Sequence, residues 1–152
     1  MRHLLQLLII AMALLWWQDA DATPLFEEDS VIDVELIGPI YSLTESADKR
    51  MEVPFVLRSN GVEYEVMVRP RGKSRLRVCE FPPLRLRFTA EDPGQGVFAG
   101  QDKLKLVTHC RNNEKGDQNA IEEYAAYRLF SLLSDKSLRA RPMRITYSDT
   151  DG

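Results

Sequence analysis

Two histidines and two cysteines are all that 152 residues contain, and this scarcity removes whole classes of chemistry. A structural zinc site takes four protein ligands, and with His3 set aside in the amino-terminal leader only Cys79, His109 and Cys110 are left. A Cys–His nucleophile needs the two side chains placed across from one another, whereas strand neighbours such as His109 and Cys110 point to opposite faces. No Ser-His-Asp set can be assembled, and no dinucleotide fingerprint is present. Gly72, alone among basic residues, does not make a Walker loop, which needs two glycines and a lysine at fixed spacing. A long apolar run is missing as well: residues 4–17 are apolar apart from Gln6, short of the roughly 20 residues that span a bilayer.

That run follows Arg2 and His3 and precedes Ala20-Asp21-Ala22, an A-x-A cleavage site. Residues 1–22 therefore read as a secretory signal peptide, a helix removed on export to the periplasm or beyond, with no stable membrane span left after cleavage. No cysteine follows the run, so a lipoprotein is not indicated. Outside the cytosol thiols are not held reduced, which makes Cys79 and Cys110 an expected disulfide. Closing that loop constrains the unfolded chain by roughly 3 to 4 kcal/mol in the entropy picture.

The net charge of −3 conceals an asymmetry. Residues 1–68 carry −8, residues 69–115 carry +6 and residues 116–152 carry −1. A chain with pI near 5.5 lacks the basicity of a general nucleic-acid binder, so no nucleic acid is expected as partner. A basic middle in an acidic protein fits either internal charge pairing or a local anion site.

Periodicity organises the rest. Residues 23–30 read as a flexible, acidic lead-in, and residues 31–152 as one domain. Residues 31–38, 53–57, 62–68, 84–88, 104–107 and 141–147 carry strand patterns, the second and third joined by Ser59-Asn60-Gly61, a tight-hairpin signal. Pro39 and residues 44–50 read as a loop. Residues 112–116 read as a mobile polar stretch. From Asp117 or Asn119 the period changes to 3.6, with Ile121, Tyr124 or Ala125, Arg128 or Leu129, and Leu132 on one face and Asn119 and Glu122 as a reciprocal cap. The predicted fold is α+β: a mostly antiparallel sheet of five or six strands with one main helix packed on it. The ending, Ser148 to Gly152, reads as a loop awaiting a further element, as in a domain incomplete at its C-terminus.

Chemistry concentrates in VRPRGKSRLRVCEFPPLRLRF, residues 68–88, answered by KLKLVTHC, residues 103–110. Arginines at alternate strand positions share a face, and Arg suits bidentate recognition of phosphate or carboxylate. Arg69, Arg71, Lys73, Arg75 and Lys105 are the anion-contact candidates, the alternative being a solvated or acid-paired face. Glu122 and Glu123 fit helix-dipole complementation or a partner for a strand lysine. Asp149 and Asp151 resemble the start of an acidic metal loop without its downstream glutamate, so no metal or catalytic residue is assigned.

The strip, with FAGQDKLKLVTHC and EEYAAYRLFSLLSDKSLRARPMRITYSD, resembles the amino-terminal part of the CotH-type, spore-coat kinase-like family. Arg71-Gly72-Lys73-Ser74 is similar to the family's R-G-x-S element, residues 84–88 to its basic strand and residues 104–107 to its K-L-x-L strand. The cysteine pair and the EYxAYRL helix look like exported bacterial relatives of that family. The resemblance implies an atypical kinase fold that binds ATP and Mg and phosphorylates protein, with Lys103 and Lys105 as phosphate candidates by position. The family's catalytic acids lie beyond an N-G-x-x-G-x-Y-like segment that these residues do not reach. The expectation is thus an exported, non-catalytic CotH-like amino-terminal domain with a basic strip, needing no cofactor itself, and ATP and Mg only in a longer form. The alternative is a stand-alone periplasmic or cell-envelope module that binds an acidic protein or phosphate-bearing ligand.

Overall fold

A computed structural model describes residues 25–46, 50–89 and 94–151; the expected signal peptide lies outside the described residues. In chain order the elements are β1 (Ile32–Gly38), α1 (Ile40–Glu45), β2 (Val53–Ser59), β3 (Val62–Pro70), α2 (Arg75–Val78), β4 (Leu84–Phe88), β5 (Lys103–Leu106), α3 (Glu114–Leu133) and β6 (Met143–Asp149). The strands form one sheet in the order β5-β4-β3-β2-β1-β6. Every neighbouring pair is antiparallel except β1 with β6. The α+β class and the mostly antiparallel sheet follow the sequence pattern.

Local chemistry explains the strand layout. Asn60 and Gly61 take φ of 50° and 79°, the left-handed pair of a tight hairpin that places Ser59 opposite Val62. Pro82-Pro83 feeds β4, which lies inside the sheet rather than at its edge. Alternation then sorts the faces: Val34, Leu36, Leu57, Val66, Val68, Leu84, Leu86 and Phe88 are buried on one side, each contributing on the order of 2 kcal/mol of apolar burial. The sheet curls, so that Leu104 and Leu106 of β5 line the same apolar cavity, about 30 Å³, as Met143 and Ile145 of β6. Phe98, from the loop before β5, is fully buried there and meets the Tyr64 ring edge-on at 5.2 Å.

Three features depart from the sequence reading. The lead-in is docked: Leu25 is completely buried, and the Arg141 guanidinium donates to the Leu25 and Ser30 carbonyls and to Glu28 and the Ser30 hydroxyl. Residues 40–45 form a helix where a loop reads from sequence, because Asp149 accepts hydrogen bonds from the Ile40 and Tyr41 N–H groups and Asp151 from that of Ser42. Those caps come from more than a hundred residues away, so no local signal announces them.

The third concerns α3. It starts at Glu114, with the Asn113 side chain accepting from the Gly116 N–H at 2.9 Å, not at Asn119. Gly116 is the helix's only buried residue, and a Cβ there would run into the His109 and Arg111 carbonyls. Among the described residues α3 does not pack broadly on the sheet. Ala120, Glu123, Tyr124 and Tyr127 are half-buried, while Ile121, Leu129, Leu132 and Leu133 are 61 to 79% exposed. The apolar residues face away from the sheet because Glu123 and Tyr127 tie the opposite face to the body, as described below.

Candidate functional site

The inward alternation that builds the core turns Arg69, Arg85, Arg87, Lys103 and Lys105 to the outer face. Register then decides who stands beside whom. Arg69 lies opposite Arg85, and Arg85 opposite Lys105. Three cations therefore run side by side across β3, β4 and β5. A second row places Met67, Arg87 and Lys103 next to one another.

Like charges directly opposite one another destabilise a sheet. The Phe88 N–H donates to the Asp102 carbonyl at 2.9 Å, and antiparallel alternation makes Arg85 and Lys105 a non-hydrogen-bonded pair, the closer kind, with Cα atoms about 4.5 Å apart. Among the described residues, Glu52 and Asp102 offset the charge locally. Arg87 donates two bonds to one Glu52 oxygen, at 2.6 and 2.9 Å, and Arg69 reaches the other at 3.9 Å. The Arg87 hydrogen bond, helped by the charges of Arg87, Arg69 and Arg85 and opposed by partial burial, holds the Glu52 carboxyl below its ordinary range. Lys103 pairs with Asp102. Arg85 and Lys105 make no ion pair among the described residues.

The five sequence candidates thus separate into two groups. Arg69 and Lys105 stand in the cation row. Arg71 is half-buried just past β3, its N–H donating to the Pro83 carbonyl at 2.7 Å, and Lys73 is exposed in the turn that follows. Residues 75–78 form the helical turn α2. Arg75 is engaged elsewhere: it donates to Glu123 of α3 at 2.9 Å, while the Tyr127 hydroxyl donates to the other Glu123 oxygen at 3.1 Å. Burial, then the neighbouring Glu123 carboxylate, raise the Tyr127 pKa, while Arg71 and Arg75 oppose them. Glu123 is hence the partner of an arginine, in the interior of α3 rather than its first turn. Glu122 accepts from Gln118 one turn back.

Cys79 and Cys110 form the disulfide, their Cα atoms 4.6 Å apart. It fastens the end of α2 to the turn after β5, where Cys110 takes φ of 61°. His109 does not face a thiol; its ring stacks on Phe81 at 5.7 Å. Among the described residues no cluster of His, Cys, Asp or Glu could hold a metal ion, and no helix is long and apolar enough to cross a membrane. Asp149 and Asp151 serve as the α1 cap. Asp149→Ala is expected to cost about 1 kcal/mol in urea unfolding, with Asn recovering part of it; stability indifferent to both changes would remove the capping role.

Glu52 is a residue that the sequence did not single out for the site, and Arg85 belongs to the basic strip without being among the five anion-contact candidates. Strict alternation at residues 84–88 puts Arg85 on the wet face, but its neighbours are a matter of register. Compared with family profiles and with curated proteins, the chain matches none.

Proposed function

We propose that this chain is an exported anion-recognition module, a CotH-like amino-terminal domain whose outer sheet face takes a phosphate- or carboxylate-bearing ligand. One observation carries the reading: Arg69, Arg85 and Lys105 stand in register on adjacent strands, with one carboxylate, Glu52, at the far end of the row. Such a row is unfavourable when empty and favourable around an anion that bridges its members. The disulfide fits an oxidising compartment and so supports export. Arg71 and Lys73 follow directly on β3 and add positive charge at its end. Arg75 has a structural part instead, joining α2 to α3.

Inorganic tripolyphosphate, titrated calorimetrically into the oxidised protein, tests the reading. The double variant Arg85→Ala, Lys105→Ala is expected to weaken binding at least tenfold and to flatten its salt dependence, while Lys73→Ala has a smaller effect. Equal affinity of the double variant and the parent would overturn the assignment.

A further inference from the structure

The cation row does not stop in the middle of the sheet; it ends at an open edge. Among the described residues β5 pairs only with β4, and β6 only with β1. Because the Phe88 N–H bonds to the Asp102 carbonyl, alternation turns the backbone groups of Leu104 and Leu106 toward β4 and those of Lys103 and Lys105 outward. The outer side of β5 therefore presents, among the described residues, unpaired N–H and C=O groups on the two residues that carry its positive charges.

The inner side of the same edge is apolar and incompletely covered. Leu104 and Leu106 are half-buried, as are Met143 and Ile145 on the facing edge strand, and all four line one cavity together with Phe98, Val34 and Leu86. The curl brings these two edges together without pairing them. At the end of the seam Phe81 bridges the gap, forming a β-bridge with Cys110 on one side and packing on Tyr147 of β6, ring centroids 4.9 Å apart, on the other. An exposed edge of this kind is a template for an added strand.

We infer that β5 receives an extended segment of a partner polypeptide as a seventh, antiparallel strand, and that the segment alternates acidic with apolar residues. The inference rests on the anion reading above and specifies its ligand. The required pattern follows from the pleat. A residue opposite Lys105 lies on the outer face, in the same row as Arg85 and Arg69, so a carboxylate there meets Lys105 and Arg85, which make no ion pair among the described residues. A second carboxylate, two residues on, faces Lys103. The residue between them points inward, over Leu104 and Leu106 and toward Met143 and Ile145. Main-chain bonds to Lys103 and Lys105 supply affinity, while the alternation supplies selection.

Four short acetylated, amidated peptides test this by fluorescence anisotropy with the oxidised full chain. The first alternates Glu with Val. The second has the same composition in two blocks. The third and fourth are the alternating peptide N-methylated at its Glu or at its Val residues. In an antiparallel strand with Glu opposite Lys105, the Glu amides face β5 and the Val amides face away. The alternating peptide is expected to bind at least tenfold more tightly than the block peptide. Methylating the Glu amides is expected to cost at least tenfold, and methylating the Val amides less than threefold. Equal binding of alternating and block peptides, or equal effects of the two methylations, overturns edge addition; tripolyphosphate binding that survives in that case leaves the anion reading standing. Dimerisation of the protein without peptide affinity also overturns it, since the edge would then pair with a second copy.

Discussion

Replacing Cys79 and Cys110 together with serine lowers the unfolding free energy by roughly 3 to 4 kcal/mol, measured by urea denaturation against the oxidised parent. The disulfide closes a loop with a sequence separation of 31, and the entropy of such a loop in the unfolded chain sets that scale. A domain of this size holds only about 5 to 15 kcal/mol in total, so the double variant is expected to be a marginal fold. The consequence is local as well. The bond fastens the end of α2, which carries Arg75, to the turn that leads into Asn113 and the start of α3. Hydrogen exchange should rise first in residues 71–80 and 110–116, while β2 and β3 at the centre of the sheet remain protected. A loss below about 1 kcal/mol would mean that the unfolded chain is already compact across this loop.

Arg141→Ala has the second large effect. Its side chain is 3% exposed, and its guanidinium donates to two carbonyls, a hydroxyl and a carboxylate, all between Leu25 and Ser30. Truncation leaves carbonyl oxygens without donors at a cost of about 1 to 3 kcal/mol for each that stays buried. A total of about 3 kcal/mol is therefore expected, again by urea denaturation. Arg141→Lys keeps the charge but not the planar fork, and is expected to recover less than half. The distinguishing measurement is proteolysis near residue 25: release of Leu25 from the core should expose residues 25–30 to cleavage well below the midpoint of global unfolding. Resistance equal to the parent's would show that Leu25 burial alone holds the segment.

Both predictions concern contacts between distant parts of the chain, and the same division separates what was legible in the sequence from what was not. Each of the six strands is visible as a run of alternating residues, and the Asn60-Gly61 turn names its hairpin. The cysteine pairing follows from count and from the expectation of export. Local codes of this kind depend on neighbours within a few residues, so one chain suffices to read them. Helix α1 fails that test, since Asp149 and Asp151 supply its cap. So does the start of α3, which Asn113 and the tight seat of Gly116 determine while the better-looking Asn119 sits inside the helix.

For the candidate site the sequence determined the residue types and the face. Alternation alone places Arg69, Arg85, Lys103 and Lys105 on the wet side, and composition alone marks the segment as basic. Only the tertiary structure decided that Arg69, Arg85 and Lys105 share one row, that Arg75 turns away to Glu123, and that the row ends at an open, apolar-backed edge. The physical reason is that a strand's faces follow from its own period of two, whereas its neighbours follow from register and curl, which depend on the whole sheet.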